Sequence, residues 1–185
     1  MAAPLGARTC DEDLVVRAQR GDLAAFEELV RHRLDRLFRT ACGILGDPSE
    51  AEDAVQDACI SAWQKLPSLR DESRLDAWLG RILVNACRMR VRGRRGVREI
   101  TLDDSRSQID IPDPSQMSER AEDVDQVVRA LDRISVDDRA LLILHHVQHE
   151  RVDSIAATLG IPAGTVKWRL SRARHAVQRA LEDDR

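Results

Sequence analysis

The sequence predicts an all-α protein in which two small helical domains are joined by a flexible acidic linker, the second domain being a helix-turn-helix. Apolar residues make up 43% of the 185 residues, but aromatic residues only 3%, which favours helices packed through Leu, Ala, Val and Ile. The apolar residues recur at helical spacing in two stretches, separated by an acidic stretch with two prolines and no periodicity. We therefore expect a disordered N-terminus at 1–10, domains at 11–95 and 123–185, and a linker at 96–122.

Charge is distributed unevenly along the chain, although the net charge is only −3. Residues 75–98 contain seven Arg and one acid, residues 99–125 contain nine acids and two Arg, and residues 164–180 contain five Lys or Arg and no acid. Two basic helices separated by an acidic linker suit a protein that contacts nucleic acid at two places.

Composition also argues against several other classes of protein. No apolar run is long enough to span a membrane, and the start of the chain lacks the features of a signal peptide, so we expect a cytoplasmic protein without membrane insertion. The four cysteines form no Cys-x-x-Cys pair, which indicates reduced, mostly buried thiols and neither a zinc ribbon nor a disulfide framework. No cofactor motif is present.

The first domain is predicted to begin with one long helix capped by Asp22 and closed by Gly43 and Gly46. Asp47 and Pro48 then provide the cap and first position of a second helix. The predicted buried stripes are Leu23, Phe26, Leu29, Val30, Leu34, Leu37, Phe38 and Ala41 on the first helix, and Ala51, Ala54, Val55, Ala58, Cys59, Ala62, Trp63 and Leu66 on the second.

On the far side of the second helix an apolar residue lies within a polar, acidic surface. At 100° per residue, Ile60 falls beside Asp53, Gln56 and Asp57. One interpretation is a scattered exposed apolar side chain, which is common, and the other is a surface that docks on another protein.

A third helix is predicted to start near Ser73, with Asp76 completing an acidic variant of the capping box, and to run to about Gly93. Its core face is Leu75, Leu79, Ile82, Leu83 and Ala86. The opposite face carries Arg74, Trp78, Arg81, Asn85, Arg88 and Arg92. A charged face is usually only solvated, but the single sign of these charges and an Asn able to pair with a base edge favour nucleic-acid contact.

The second domain is predicted to start with a helix from about Val124, followed by a helix capped by Ser135. The chain then ends in the pattern of a helix-turn-helix: a short helix, a turn at Gly160, and a longer helix that buries Val166, Leu170, Ala173 and Val177. The outer side of this last helix carries Lys167, Trp168, Ser171, Arg172 and His175, where a recognition helix presents residues to the major groove. The alternative is an ordinary helical hairpin with solvated Arg.

These motifs together resemble the extracytoplasmic-function (ECF, group 4) sigma factors of the sigma-70 family. The stretches AEDAVQDACISAW and LDAWLGRILVNACRMRVRGRR are similar to the family's region 2, and GTVKWRLSRAR is similar to its region 4. The resemblance implies a factor that binds core RNA polymerase and directs initiation at promoters with minus-ten and minus-thirty-five elements, without catalytic activity or a cofactor.

The resemblance also implies roles for individual residues. Asp53, Gln56, Asp57 and Ile60 would bind the clamp helices of the polymerase's largest subunit, while the second domain would meet the flap of the second largest. The minus-ten element would be read by Arg70, Arg74, Trp78, Asn85, Arg88 and Arg92. The minus-thirty-five element would be read by Thr165, Lys167, Trp168, Ser171 and Arg172. An anti-sigma factor is a further implied partner.

Some residues depart from the family pattern. Cys59 and Leu75 stand where Phe is frequent, and Trp168 replaces a usual Ser. A bulky donor there could touch a thymine methyl or obstruct the usual approach, so the family's promoter preference does not transfer.

Two rival interpretations remain open on the sequence. A helix-turn-helix regulator that acts without being a polymerase subunit would explain the C-terminal pattern but not the surface around Ile60. A metal site would rest on His145, His146, His149 and Glu150, where His145 and His149 have the i, i+4 spacing of a ligand pair.

Overall fold

A computed structural model describes residues 5–100 and 126–183, with side chains at 11–94 and 126–183. Over these residues the chain is helical and contains no strand, which confirms the predicted all-α class. The helices are α1 Leu5–Gln19, α2 Leu23–Arg31, α3 Leu34–Leu45, α4 Pro48–Lys65, α5 Leu75–Ile100, α6 within residues 126–132, α7 Val136–Leu142, α8 Val152–Leu159 and α9 Ala163–Asp183. None of the described helices is long and apolar enough to cross a membrane.

Side-chain caps and glycines fix the ends of the helices in the first domain. Asp22 accepts a hydrogen bond from the Ala25 amide at 3.1 Å, and Asp47 accepts from the Ser49 amide at 2.8 Å. Gly46 ends α3 with φ +73°, a left-handed conformation that costs glycine little. The caps at Asp22 and Asp47 are those predicted from the sequence.

The predicted long helix from Asp22 to Gly43 is wrong, because the chain breaks at His32 and Arg33 into α2 and α3. The break turns Arg33 inward, where its guanidinium donates to Asp11 of α1 at 2.6 Å and to Asp76 of α5 at 2.7 Å. It also leaves Leu34 39% exposed, so that the predicted stripe is not continuous. The free energy gained from the two ion pairs offsets the loss of the helical hydrogen bonds that the break interrupts.

The predicted start and end of the third helix also need correction. Asp71, not Ser73, provides the cap: its carboxylate accepts from the Ser73 amide at 3.1 Å and closes a 3₁₀ turn, Glu72–Arg74, before α5 begins at Leu75. The helix then continues to Ile100, beyond the predicted end near Gly93 and into the first five residues of the predicted linker. The rest of that linker lies outside the described residues.

The N-terminal segment was expected to be disordered over residues 1–10, but α1 begins at Leu5. No apolar stripe had identified this helix. It is anchored farther along by Val15, which is fully buried, and by the Gln19 amide, which donates to the Leu69 carbonyl at 2.9 Å. The helix therefore packs as part of the first domain.

The second domain contains the predicted helix-turn-helix. Ser135 caps α7 by accepting from the Asp138 amide at 3.1 Å, and Gly160 ends α8 with φ +67° before α9 begins. Ile155 and Val166 are fully buried between α8 and α9. The predicted inner residues of α9 are buried or half-buried: Val166, Leu170, Ala173 and Val177.

The cores of the two domains are continuous. Buried residues of α3 and α5, such as Ile44 and Leu83, belong to the same apolar cluster as Leu141 and Ile155 of the second domain. The two domains therefore pack directly against each other through α3 and α5 on one side and α7 and α8 on the other.

Candidate nucleic-acid and protein interfaces

The docking face of α4, defined as Asp53, Gln56, Asp57 and Ile60, is exposed at all four positions. Ile60 is 52% exposed, whereas the alanines on the opposite side of the helix are buried. The structure thus places Ile60 outside the core. Gln56 also lines a groove between α3 and α4 whose other walls are mainly Leu34, Phe38, Val55 and Cys59.

An arginine of the neighbouring helix forms ion pairs with both acidic residues of the docking face. Arg90 of α5 donates to the Asp53 carboxylate at 2.7 Å and to the Asp57 carboxylate at 2.8 Å. Hydrogen bonding to Asp57, supported by Asp53, raises the pKa of Arg90. Helical periodicity gives no sign of this pairing, because Arg90 lies 33 residues from Asp57 and 37 residues from Asp53 in the sequence. The two carboxylates are consequently held by a common cation.

The six predicted minus-ten residues do not form one uniformly exposed surface. Arg70, Arg74, Asn85 and Arg92 are exposed, whereas Trp78 and Arg88 are half-buried. Arg74 pairs with Asp71 at 3.0 Å. The first basic face, defined as Trp78, Asn85, Arg88 and Arg92 of α5, is therefore exposed at Asn85 and Arg92 and partly covered at Trp78 and Arg88.

Arg88 is covered by the second domain. Its Nε atom donates to the Asp137 carboxylate of α7 at 2.5 Å, and its Nη1 atom donates to the Asn85 side-chain oxygen at 2.6 Å. The sequence predicts that Arg88 is free to meet DNA. Since periodicity describes one helix at a time, it could not show that a distant helix lies against this face.

The recognition face of α9, defined as Thr165, Lys167, Trp168, Ser171 and Arg172, points away from the core. Thr165 is half-buried and the other four residues are exposed, with Trp168 61% exposed. The Arg172 guanidinium lies over the Trp168 ring, 4.7 Å from its centroid, in a cation–π contact. An aromatic ring and a cation are therefore presented together on the outer side of the helix.

Asp138 of α7 holds the recognition helix through two arginines. Its carboxylate accepts from Arg169 at 2.8 and 3.0 Å and from Arg172 at 2.9 Å. Burial alone would raise the pKa of Asp138, but hydrogen bonds from Ser135, Arg169 and Arg172 outweigh burial and lower it below the usual value. The Ser-x-x-Asp spacing at Ser135 indicates the cap of α7 but not this anchor, because Arg169 and Arg172 lie 31 and 34 residues from Asp138 in the sequence.

The histidines considered for a metal site do not share one helical face. After Leu142 the chain forms a π-helical turn, Ile143–Val147, and His149 adopts φ +54°. The His145 ring lies 3.3 Å from the Glu150 carbonyl oxygen. Among the described residues, no group of three or more His, Cys, Asp or Glu is arranged to hold a metal ion.

Two family models match the chain in the order that the fold suggests. Sigma-70 region 2 matches residues 29–97, and Sigma-70 region 4 matches residues 125–177. The first match covers α3, α4 and most of α5, and the second covers α6 to most of α9. The docking face, the first basic face and the recognition face all lie within the matched residues.

Relatives and solved structures agree with these matches. The chain is 32% identical over 181 residues to the RNA polymerase sigma-H factor of Pseudomonas aeruginosa, covering 93% of this chain and 94% of that protein. It is 33% identical over 171 residues to the ECF RNA polymerase sigma factor SigM of Mycobacterium tuberculosis, covering 92% and 84%. The solved complex of sigma factor RpoE with anti-sigma factor NepR from Bartonella quintana matches with a TM-score of 0.66 at 31% identity, covering 86% of this chain and 98% of that one.

A second solved complex, CnrH with the cytosolic domain of CnrY, matches with a TM-score of 0.67 at 25% identity, covering 95% of this chain and 99% of that one. One family is indicated by the helix order, by the two family matches and by relatives that are similar over nearly their whole length. The chain belongs to the extracytoplasmic-function group of the sigma-70 family of RNA polymerase sigma factors.

Proposed function

We propose that the chain acts as an RNA polymerase sigma factor that docks on core polymerase through the docking face and reads promoter DNA with both domains. The single observation that carries this proposal is that one short chain presents an apolar residue within an acidic surface on α4 and two separate basic helices, α5 and α9. A regulator that only binds DNA has no need of the first feature. The chain would contribute binding and positioning in the cytoplasm, and core polymerase would contribute the catalysis.

The docking face fits a protein partner that is apolar at its centre and cationic around it. Ile60 provides the apolar contact, and Asp53 and Asp57 flank it at fixed positions because Arg90 holds both carboxylates. Preorganised charges lose little side-chain entropy on binding. We assign this surface to the clamp helices of the largest subunit, and the second domain to the flap of the second largest.

The DNA-reading residues divide into those that position and those that specify. Arg70, Arg74 and Arg92 are exposed cations suited to phosphate, which gives salt-dependent affinity with little sequence information. Asn85 and Trp78 of α5 and Lys167 and Trp168 of α9 carry groups that can meet bases, whereas Arg172 of α9 is a further exposed cation suited to phosphate. Each good base contact discriminates by about 1–3 kcal/mol. Thr165 and Ser171 add hydroxyl groups at the edge of the recognition face.

A binding experiment separates this proposal from that of a plain helix-turn-helix regulator. The tagged chain is incubated with purified core polymerase, and the retained subunits are quantified with and without promoter DNA. We expect polymerase to be retained without DNA and promoter affinity to rise in its presence. Tight, specific DNA binding by the chain alone, with no polymerase retained, would overturn the proposal in favour of the regulator.

The minus-ten assignment is tested by promoter melting. We expect Asn85→Ala to reduce permanganate reactivity at the minus-ten element more than it reduces closed-complex binding, because an exposed amide can hold a separated base and its hydrogen bond from Arg88 lies at the surface. Trp78→Ala serves as a second variant, with its stability checked because Trp78 packs against the core. Unchanged permanganate reactivity in both variants would show that the first basic face takes no part in promoter opening.

An anti-sigma protein is a further proposed partner. The two matched complexes are those of RpoE with the anti-sigma factor NepR and of CnrH with CnrY. Since this chain has the same arrangement of helices, a protein that holds it inactive would be recovered by co-purification from its own cells. Loss of that partner should then raise transcription from the promoters the chain serves.

A further inference from the structure

We infer that Asp138 of α7 is a positioning residue for minus-thirty-five recognition: it fixes Arg172, which in turn fixes the Trp168 ring in the orientation that meets a base. The inference rests on the proposed function, because it concerns how the recognition face assigned there to the minus-thirty-five element selects its sequence. Asp138 itself lies on another helix and is no member of that face.

Asp138 has no direct access to DNA, since its side chain is only 9% exposed. Both of its oxygens are engaged within the second domain. Oδ1 accepts two hydrogen bonds from Arg169, and Oδ2 accepts from Arg172 at 2.9 Å and from the Ser135 hydroxyl at 2.8 Å. Although burial alone would raise the pKa of Asp138, its hydrogen bonds hold the pKa below the usual value, and the carboxylate is therefore ionised at neutral pH. Any influence of Asp138 on DNA must pass through the residues that it holds.

The two arginines on this carboxylate differ in exposure and in geometry. The Arg169 side chain is mostly buried and donates to one Asp138 oxygen from two nitrogens, at 3.0 and 2.8 Å, which anchors α9 on α7. The Arg172 side chain is half exposed and donates to the other oxygen from one nitrogen. The flat side of the Arg172 guanidinium lies over the Trp168 ring. Arg172 thus links the buried carboxylate to the exposed ring.

The Trp168 ring depends on this link for its orientation. Because Trp168 is 61% exposed, the core does little to fix its side-chain torsions. The Arg172 guanidinium carbon lies 4.7 Å from the ring centroid, one helical turn further along α9. A cation–π contact at an exposed site shifts a side-chain equilibrium by about two- to fivefold. Arg172 can restrain the ring only as firmly as Arg172 is itself held, and Asp138 holds it.

Orientation matters because discrimination between bases depends on geometry. Trp168 offers an indole N–H donor and an apolar ring edge, which suit an acceptor on a base edge or a thymine methyl group. A ring held in one orientation makes one of these contacts well, whereas a ring that rotates freely makes several of them poorly. Loss of Asp138 should therefore relax the sequence preference at the position that Trp168 reads and leave the other positions unchanged.

Selection from a randomised minus-thirty-five library by holoenzyme, that is core polymerase with the full chain, tests this inference. The position read by Trp168 is the one whose preference changes in Trp168→Ser. We expect Asp138→Ala to lower discrimination at that position by about two- to fivefold, the effect of one exposed cation–π contact. Asp138→Asn should lower it as well, because one amide oxygen cannot serve both arginines. Arg172 is left in place, since its loss would also remove a cation suited to phosphate.

Lost stability is distinguished from lost positioning by the readout and by a control. Unfolded chain lowers binding to every sequence alike, so it cannot change which sequence is preferred. Ser135→Ala is the matched control, because it removes the cap of α7 and a hydrogen bond to Asp138 but leaves Arg172 paired. It should lower stability and keep the wild-type preference. The double variant Asp138→Ala, Trp168→Ser should select the same sequences as Trp168→Ser alone, because the ring through which Asp138 acts is absent.

A second measurement needs neither DNA nor polymerase. In NMR spectra of the isotope-labelled chain, the Trp168 indole N–H is the indole signal that Trp168→Ser lacks. Its order parameter should fall in Asp138→Ala and stay unchanged in Ser135→Ala. The inference would be overturned by an unchanged preference in both Asp138 variants, by an equal change in Ser135→Ala, or by an unchanged order parameter in Asp138→Ala. A wild-type holoenzyme that selects no minus-thirty-five sequence would overturn the proposed function instead, even where the order parameter falls as expected.

Discussion

The Ile60→Asp variant tests whether α4 carries a docking surface or only a core helix. Ile60 is 52% exposed, so about half of its side chain is already in water. Full burial of such a side chain is worth about 1.5–3 kcal/mol, and losing the buried half should therefore cost about 1 kcal/mol of folding stability. The helix and its buried alanines should remain in place.

The effect on polymerase binding should be much larger. An apolar residue at the centre of an interface contributes about 2 kcal/mol or more, which corresponds to about 30-fold in affinity. The new carboxylate would also lie one helical turn from Gln56 and Asp57 and add charge where the apolar contact had been. We therefore expect weakening of about 30-fold or more, although the chain stays folded.

The assay combines urea unfolding, followed by circular dichroism, with titration of the labelled chain by core polymerase. Val16→Asp is the matched control, because Val16 is also an exposed apolar residue but lies on α1, away from the docking face. A loss of stability above about 3 kcal/mol in Ile60→Asp would assign Ile60 to the core. Polymerase binding at wild-type affinity by the folded variant would show that the docking face does not bind core polymerase.

Three further predictions concern the recognition helix, the acid stability of the second domain and the thiols. Trp168→Ser should change which minus-thirty-five sequences are selected from a randomised library, by about 1–3 kcal/mol at one position, while Arg172→Ala should weaken binding to all of them; identical selected sequences for wild type and Trp168→Ser would show that this residue does not read bases. Asp138→Asn should lower the free energy of unfolding by about 1–3 kcal/mol at pH 7. Since the folded-state pKa of Asp138 lies below its usual value, that difference should be present above about pH 4 and disappear as pH falls through the folded-state pKa, so a pH-independent difference in urea midpoints would contradict the pairing. Burial raises the pKa of Cys87 to about 12, so iodoacetamide at pH 8 should leave Cys87 unmodified until the chain is unfolded, and rapid labelling of the folded chain would place it at the surface.

Features that depend on a single helix were predictable from the sequence. The inner stripe of α4, the outer position of Ile60, the caps at Asp22, Asp47 and Ser135, and the turn at Gly160 all follow from spacing or from one side chain next to its own helix end. The same is true of the outward direction of Trp168. These predictions needed no information about distant parts of the chain.

Features that depend on two distant elements were not predictable in this way. The break at His32 is stabilised by Arg33 reaching α1 and α5, and no local pattern records those partners. In the sequence Arg88 cannot be distinguished from the other arginines of the first basic face, because its contact with Asp137 of α7 forms only in the folded chain. Arg139, a charged residue that is only 7% exposed, would be expected at a surface, yet it spans the domain interface to the Ile44 carbonyl.

The glycines of α3 and α5 illustrate the same limit. Gly43 was interpreted as the end of a helix, but it lies within α3 and gives space to Ile143 of the second domain. Gly80 had no assigned role, and it gives space to Thr158. Where two domains approach closely, there is space only for a residue without a side chain. From the sequence alone, a glycine needed for this reason cannot be distinguished from a glycine that ends a helix.

Run-off transcription with core polymerase over a randomised promoter library tests the central claim most directly. Transcripts are sequenced from reactions with and without the chain. We predict that the chain produces a set of transcripts absent from core polymerase alone, and that their promoters share one motif near minus ten and another near minus thirty-five. A folded chain that binds DNA but adds no transcript to those of core polymerase would contradict the account.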